Sequence, residues 1–205
     1  MSYAIYKTEA IILRTIPSGE ANKDVVFLTR DLGKITARAQ SARKIESKMR
    51  MHLVRYALVM IDVVRGKSIW RLTGITDAGH HTLCKNTGFV SAFARAGFLA
   101  EHLIRGEDAH AELFDFFKGI LVWGDEQSAG GLFVSTASND QVCPPADLAT
   151  ALELFLVIHV LTKLGYWSGE LFPEIPTREI LEKISQQKKQ LIASINESIE
   201  ATQIS

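Results

Sequence analysis

The hydrophobic period of the chain changes once. Up to residue 76 apolar and polar positions alternate in short runs, and from Gly88 onward they recur every three or four residues. The clearest alternation is 34–40. There Ile35, Ala37 and Ala39 face one way and Lys34, Thr36, Arg38 and Gln40 the other, the period of two of a half-buried strand. Four more runs, 3–14, 23–30, 54–64 and 68–76, are rich in β-branched and aromatic residues and read as strands. Turn clusters at Pro17-Ser18-Gly19, Asp31-Leu32-Gly33 and Arg65-Gly66-Lys67 separate them. Downstream, Phe89, Phe93, Ala96, Ala100, Leu103 and Ile104 form one helical stripe, and Leu113, Phe114, Phe117, Ile120 and Leu121 a second. The segment 146–164 is apolar on nearly every side and stops at Gly165, which predicts a central helix. Thr177 is a candidate N-cap for a terminal helix carrying Ile180, Leu181, Ile184, Leu191, Ile195 and Ile199. Between them, 124–145 reads as a long loop.

These patterns predict an α+β chain, with an all-β domain at 1–78 and an all-α helical bundle at 79–205. Five short strands in fewer than 80 residues fit a small closed barrel. The five-stranded OB-fold is one such barrel, and an SH3-like barrel fits the pattern as well.

Charge sharpens the division. The 205 residues carry 23 basic and 23 acidic side chains. Residues 1–78 hold 14 Lys+Arg against 7 Asp+Glu, a net of +7, and 79–205 hold 9 against 16, a net of −7. Such asymmetry points to a polyanionic partner for the first half. Two cysteines, Cys84 and Cys143, make no disulfide framework, so a cytoplasmic protein is expected. There is no signal-peptide pattern and no apolar run long enough to span a bilayer.

The strongest chemical signal is the basic series Lys34, Arg38, Arg43, Lys44, Lys48, Arg50 and Arg55, interrupted only by Glu46. Lysine and arginine neutralise phosphates and release counterions, so a basic loop beside a barrel face predicts nucleic-acid binding. A merely solvated charged loop is the alternative. Lys34, Arg38, Arg43, Lys44, Lys48, Arg50 and Arg14 are the candidate DNA-binding residues. Trp70 and Tyr56 could stack on bases, but they lie in apolar runs and read as core. His80, His81 and Cys84 lack the paired spacing of a zinc site, so no metal and no cofactor is expected. No H-E-x-x-H, G-x-S-x-G or phosphate-loop motif occurs, so no catalytic residue is assigned.

The string TEAIILRTIPSGEANKDVVFLTRDLGKITARAQSARKIESKMR resembles the opening of the RecO family of bacterial recombination mediators. The likeness lies in the T-E-A-I-x-L-R start, in Gly19, Glu20 and Lys23, in the T-R-x-L-G-K hairpin, and in A-R-K-x-x-S-K at 42–48. Later, GFLAEHLIRGEDAHAELFDFF and LELFLVIHVLTKLGYWSGEL resemble the family's helices. The resemblance implies an OB-fold that binds single- and double-stranded DNA, joined to a helical domain without a catalytic centre. It implies strand annealing, RecA loading with the partner RecR, and contact with the C-terminal tail of single-strand-binding protein, in the bacterial cytoplasm at the nucleoid. For that tail Arg95, Arg105, Lys163 or Arg178 would form a basic rim. An interaction adaptor that kept the fold without mediator activity is the alternative. Two departures stand out. No cysteine quartet follows Leu164-Gly165-Tyr166, and the family's usual glycine before the basic loop is Ser41 here.

Overall fold

The computed structural model describes residues 4–79, 87–128 and 146–203. Five strands, β1 (Ile5–Ser18), β2 (Asn22–Thr29), β3 (Lys34–Ala39), β4 (Leu58–Val64) and β5 (Trp70–Asp77), are followed by five helices. The strands close into a barrel in the order β1-β2-β3-β5-β4. All pairings are antiparallel except β3 with β5, where Ala37, Arg38 and Ala39 lie parallel to Trp70, Arg71 and Leu72. This order and its one parallel seam are those of an OB-fold, and the SH3-like alternative falls away. Closure leaves no sheet edge. The alternation read at 34–40 is realised in β3, whose Ile35, Ala37 and Ala39 are buried while Lys34, Thr36 and Arg38 face outward, half-buried. Ala10, Ile12, Val25, Phe27, Val59, Ile61, Val63 and Trp70 are among the residues that join them in the barrel core. The long strand β1 bends where its register with β2 shifts between Ile12 and Arg14. At that bulge Ile12 exchanges backbone bonds with Tyr56 and Ala57 instead, so 54–57 runs beside β1 before β4 begins.

The helices are α1 (Thr87–Leu103), α2 (Ala111–Ser128), α3 (Ala146–Lys163), α4 (Arg178–Gln186) and α5 (Lys188–Gln203). By contacts the chain divides into two units, Met1–Thr82 with Ile104–Lys118, and Leu83–Leu103 with Gly119–Ser205. Residues 104–118, helical by periodicity, thus group with the barrel. In the second unit α3 packs against α1, α4 and α5, which is why 146–164 is apolar all round. It ends in a Schellman turn. Gly165 takes φ +79°, Tyr166 N–H bonds the Leu161 carbonyl at 2.7 Å and Gly165 N–H bonds Thr162 at 3.0 Å, so Leu164-Gly165-Tyr166 is a helix stop written in sequence. Thr177 caps α4 by accepting from Ile180 N–H.

Three expectations are corrected. The terminal helix is two, because the chain leaves helical geometry at Gln187 (φ −94°, ψ 7°). The loop expected from Gly124 does not start there. Helix α2 continues to Ser128, and Gly124 is a packing residue, since a Cβ there would lie 2.4 Å from the Phe89 ring. The strand expected at 54–64 begins only at Leu58. The remainder of that loop, and His80, His81, Cys84 and Cys143, lie outside the described residues. Among those described, no three metal-ligating side chains gather and no helix is long and apolar enough to cross a membrane.

Candidate nucleic-acid interface

The segment between β3 and β4 is tethered to the barrel, not loose. Ala42 and Leu53 are buried in the barrel core and Met49 packs against it. Between these anchors the backbone runs through successive tight turns. Lys44 N–H bonds Ser41, Ser47 bonds Lys44, Arg50 bonds Ser47 and His52 bonds Met49, each at 3.1 Å. The last of them form a short 3₁₀ turn at Lys48–Met51. Ser41 opens the segment at φ +55°, and its N–H is held at 2.9 Å by the Asn22 side-chain oxygen. The position where the family carries glycine therefore does need a left-handed residue, and Ser41 adopts that conformation at a cost of roughly 1 kcal/mol. The Arg43 guanidinium donates to the Gly19 carbonyl at 2.9 Å, and its N–H to Ala21. This ties the basic segment to the β1–β2 loop, one of the loops with which OB-folds hold oligonucleotides.

Anchoring Ala42, Met49 and Leu53 on the core leaves the cations outside. Arg43, Lys44, Lys48 and Arg50 are exposed, and neither Lys44, Lys48 nor Arg50 forms an ion pair with a described residue. Arg14, on β1, is exposed, and Lys34 is half-buried on the outer face of β3. Arg38 differs from the others. Its guanidinium is held by both oxygens of Asp24, directly across on β2, at 2.8 and 2.9 Å. The Arg38 hydrogen bonds hold the Asp24 carboxyl below its ordinary range, against opposing desolvation, and Asp24 in turn raises Arg38. Arg38 thus belongs to the outward face, as its register predicts, but its charge is already matched.

Other cations of this unit are matched too. Arg30 meets Asp115 at 3.0 Å, Lys118 meets Glu9 at 2.7 Å and Arg65 meets Glu107 at 3.2 Å. Glu107 and Asp115 thus match two of the barrel's cations, while Lys44, Lys48 and Arg50 meet no described acid. Sequence reasoning missed Arg71, an exposed β5 residue that the parallel seam sets beside Arg38. Only the barrel order reveals it. Trp70 and Tyr56 are buried, at 4% and 6% exposure. Trp70 Nε1–H donates to Glu107 at 3.0 Å and packs edge-on against Tyr6, so neither ring is a stacking platform.

The helical unit carries its own feature, a groove of about 510 Å³ between α1, α3 and α5, lined by Phe98, Leu99, Leu154, Val157 and Ile195 among others. Arg95 stands in its wall and is held by Glu153 at 2.8 Å. Of the other expected rim cations, Lys163 pairs with Glu174 and Arg178 with Glu182. Arg105 belongs to the first unit.

The barrel order and the exposed basic segment define an OB-fold chain with a phosphate-compatible surface. Residues 1–78 match the family profile described as Recombination protein O N terminal. Two proteins named DNA repair protein RecO, from Dehalococcoides mccartyi strains, are similar. One is 36% identical over 117 residues, 57% of this chain and 46% of the relative. The other is 30% identical over 162 residues, 78% of this chain and 56% of the relative. A Myxococcus xanthus protein of the same name is 30% identical over 129 residues, 61% of this chain and 52% of its own length. Residues 1–78 thus carry the N-terminal domain of the RecO family, and the likeness to proteins of that name extends over as many as 162 residues. It spans about half the length of the curated relatives it matches.

Proposed function

We propose that this chain is a non-enzymatic DNA-binding recombination mediator, which binds and anneals single strands and assists RecA loading with RecR at gaps coated by single-strand-binding protein. The observation that carries the reading is the anchored segment at 43–50, where Lys44, Lys48 and Arg50 stand exposed and unmatched by described acids beside an OB barrel. Annealing needs a surface that neutralises phosphates without reading sequence, and cations on a short, anchored segment meet that need. Double-stranded DNA meets the same cations. The helical groove is the natural seat for an acidic, apolar tail such as that of single-strand-binding protein, with Arg95 exchanging Glu153 for the tail's carboxylate. The work is at the nucleoid, and no step requires a catalytic residue, metal or cofactor. The test is an annealing assay with two complementary oligonucleotides, one fluorescent. The parent should accelerate annealing, and Lys44→Ala/Lys48→Ala/Arg50→Ala should lose most of the acceleration. A parent that binds RecR yet neither binds nor anneals DNA would instead support the adaptor reading.

A further inference from the structure

The basic segment carries apolar side chains that the barrel does not use. Ile45 is 89% exposed and Met51 79%, the highest values among the exposed large hydrophobics of the described residues, and Val54 is 50% exposed. Single exposed apolar residues need no explanation. Here three fall within ten positions, in the same segment as the exposed cations. Ile45 directly follows Lys44, and Met51 directly follows Arg50. In the 3₁₀ turn Lys48–Met51, side chains three apart lie on one side, which puts Met51 next to Lys48, while Met49 turns inward to the core. The same turn could have exposed polar residues at no cost in packing.

We infer that Ile45 and Met51, with Val54, contact the faces of unstacked bases while the neighbouring cations hold the phosphates, so that this segment selects single-stranded over duplex nucleic acid. The inference rests on the DNA-binding reading above and adds the residues that tell a single strand from a duplex. Of the partners that would satisfy both chemistries, a single strand matches best. It is a polyanion with apolar faces exposed at every nucleotide, whereas a duplex buries those faces in its stack. A protein interface depletes lysine at its centre, and this segment sets Lys44 and Lys48 on either side of Ile45.

The test measures binding by fluorescence anisotropy at fixed salt, using three probes of equal length: a thymidine strand, an abasic strand with the same phosphates, and a duplex. The parent should bind the thymidine strand about tenfold more tightly than the abasic one. Ile45→Ser/Met51→Ser should lose most of that distinction, with duplex affinity within about twofold of the parent and an unchanged circular dichroism spectrum. A parent that does not distinguish thymidine from abasic strands, or a double variant that keeps the distinction, overturns the inference and leaves phosphate binding standing. In that case the apolar side chains belong to a protein contact. A parent that binds none of the three probes overturns the DNA reading itself, and the inference with it.

Discussion

Replacing Asp24 by Asn should make the protein bind DNA more tightly, an unusual direction for a change at a charged surface. Asp24 holds Arg38 through two hydrogen bonds of 2.8 and 2.9 Å, and Arg71 lies beside Arg38 in register. Asparagine keeps one oxygen for Arg38 but loses the charge, so the guanidinium becomes available to a phosphate. Each added phosphate contact steepens the slope of log K against log salt by about 0.7 for single strands. Over a fourfold change in salt, from about 50 to about 200 mM, that is a factor of roughly 2.6. Asp24 also repels any phosphate at about 6 Å, and removing that repulsion is worth about a factor of two in water after screening. The variant should therefore bind about fivefold more tightly than the parent at the lower salt and about twofold at the higher. The assay is a fluorescence titration of a labelled strand at four salt concentrations. Unchanged affinity and slope would remove Arg38 and its face from the interface, and weaker binding would mean that the pair organises the site. The result should hold throughout neutral pH. The Asp24 carboxyl sits below its ordinary value of 3.8, so the pair's contribution to folding is complete above that value and is lost only as pH falls through the lowered one.

Three further outcomes are expected. Gly124→Ala should destabilise by about 1–2 kcal/mol despite alanine's better helix propensity, because its Cβ would lie 2.4 Å from the buried Phe89 ring; a higher urea midpoint would refute this. Ser41→Gly should stabilise the protein by about 0.5 kcal/mol by relieving the φ of +55°, read as a raised melting temperature, and a lowered one would contradict it. His159 is buried, with Nδ1 2.9 Å from the Phe155 carbonyl and Nε2 3.2 Å from that of Phe172, and burial pushes its imidazole below 6.5 against the pull of these carbonyls. The unfolded chain then takes up the proton first, so stability should fall as pH drops from 6.5 through the lowered value, and equal losses in urea midpoint for the parent and His159→Gln between pH 7 and 5.5 would exclude this.

Much of this architecture is written in the chain itself. The alternation at 34–40 gives β3 directly, because one face of that strand meets the core and the other does not. Leu164-Gly165-Tyr166 gives the end of α3 because a Schellman turn is local. The β3–β5 seam is a different matter. Nothing near Arg38 indicates that Arg71 lies beside it, since that pairing is decided by closure of the whole barrel. Gly124 misleads for a related reason, as its role is set by Phe89, 35 positions earlier. For the site, the location of positive charge is legible and its availability is not. The acids that match Arg38, Arg30 and Arg65 come from positions 24, 115 and 107, and only folding brings them there. Equally, the three anchors Ala42, Met49 and Leu53 look like ordinary loop residues until the core reaches them.

The central claim is that the cations at 43–50 hold phosphates. Its most direct measurement is the salt dependence of single-strand binding in the parent and in Lys44→Ala/Lys48→Ala/Arg50→Ala. Arg43 is left in place because its guanidinium also secures the Gly19 carbonyl. With Arg43, Lys44, Lys48 and Arg50 in contact, the parent's slope should be about −3, and loss of three contacts should bring it to about −1. Melting should be nearly unchanged, since the three side chains are exposed. A folded triple variant with the parent's slope and affinity would contradict the account and place the strand on another surface.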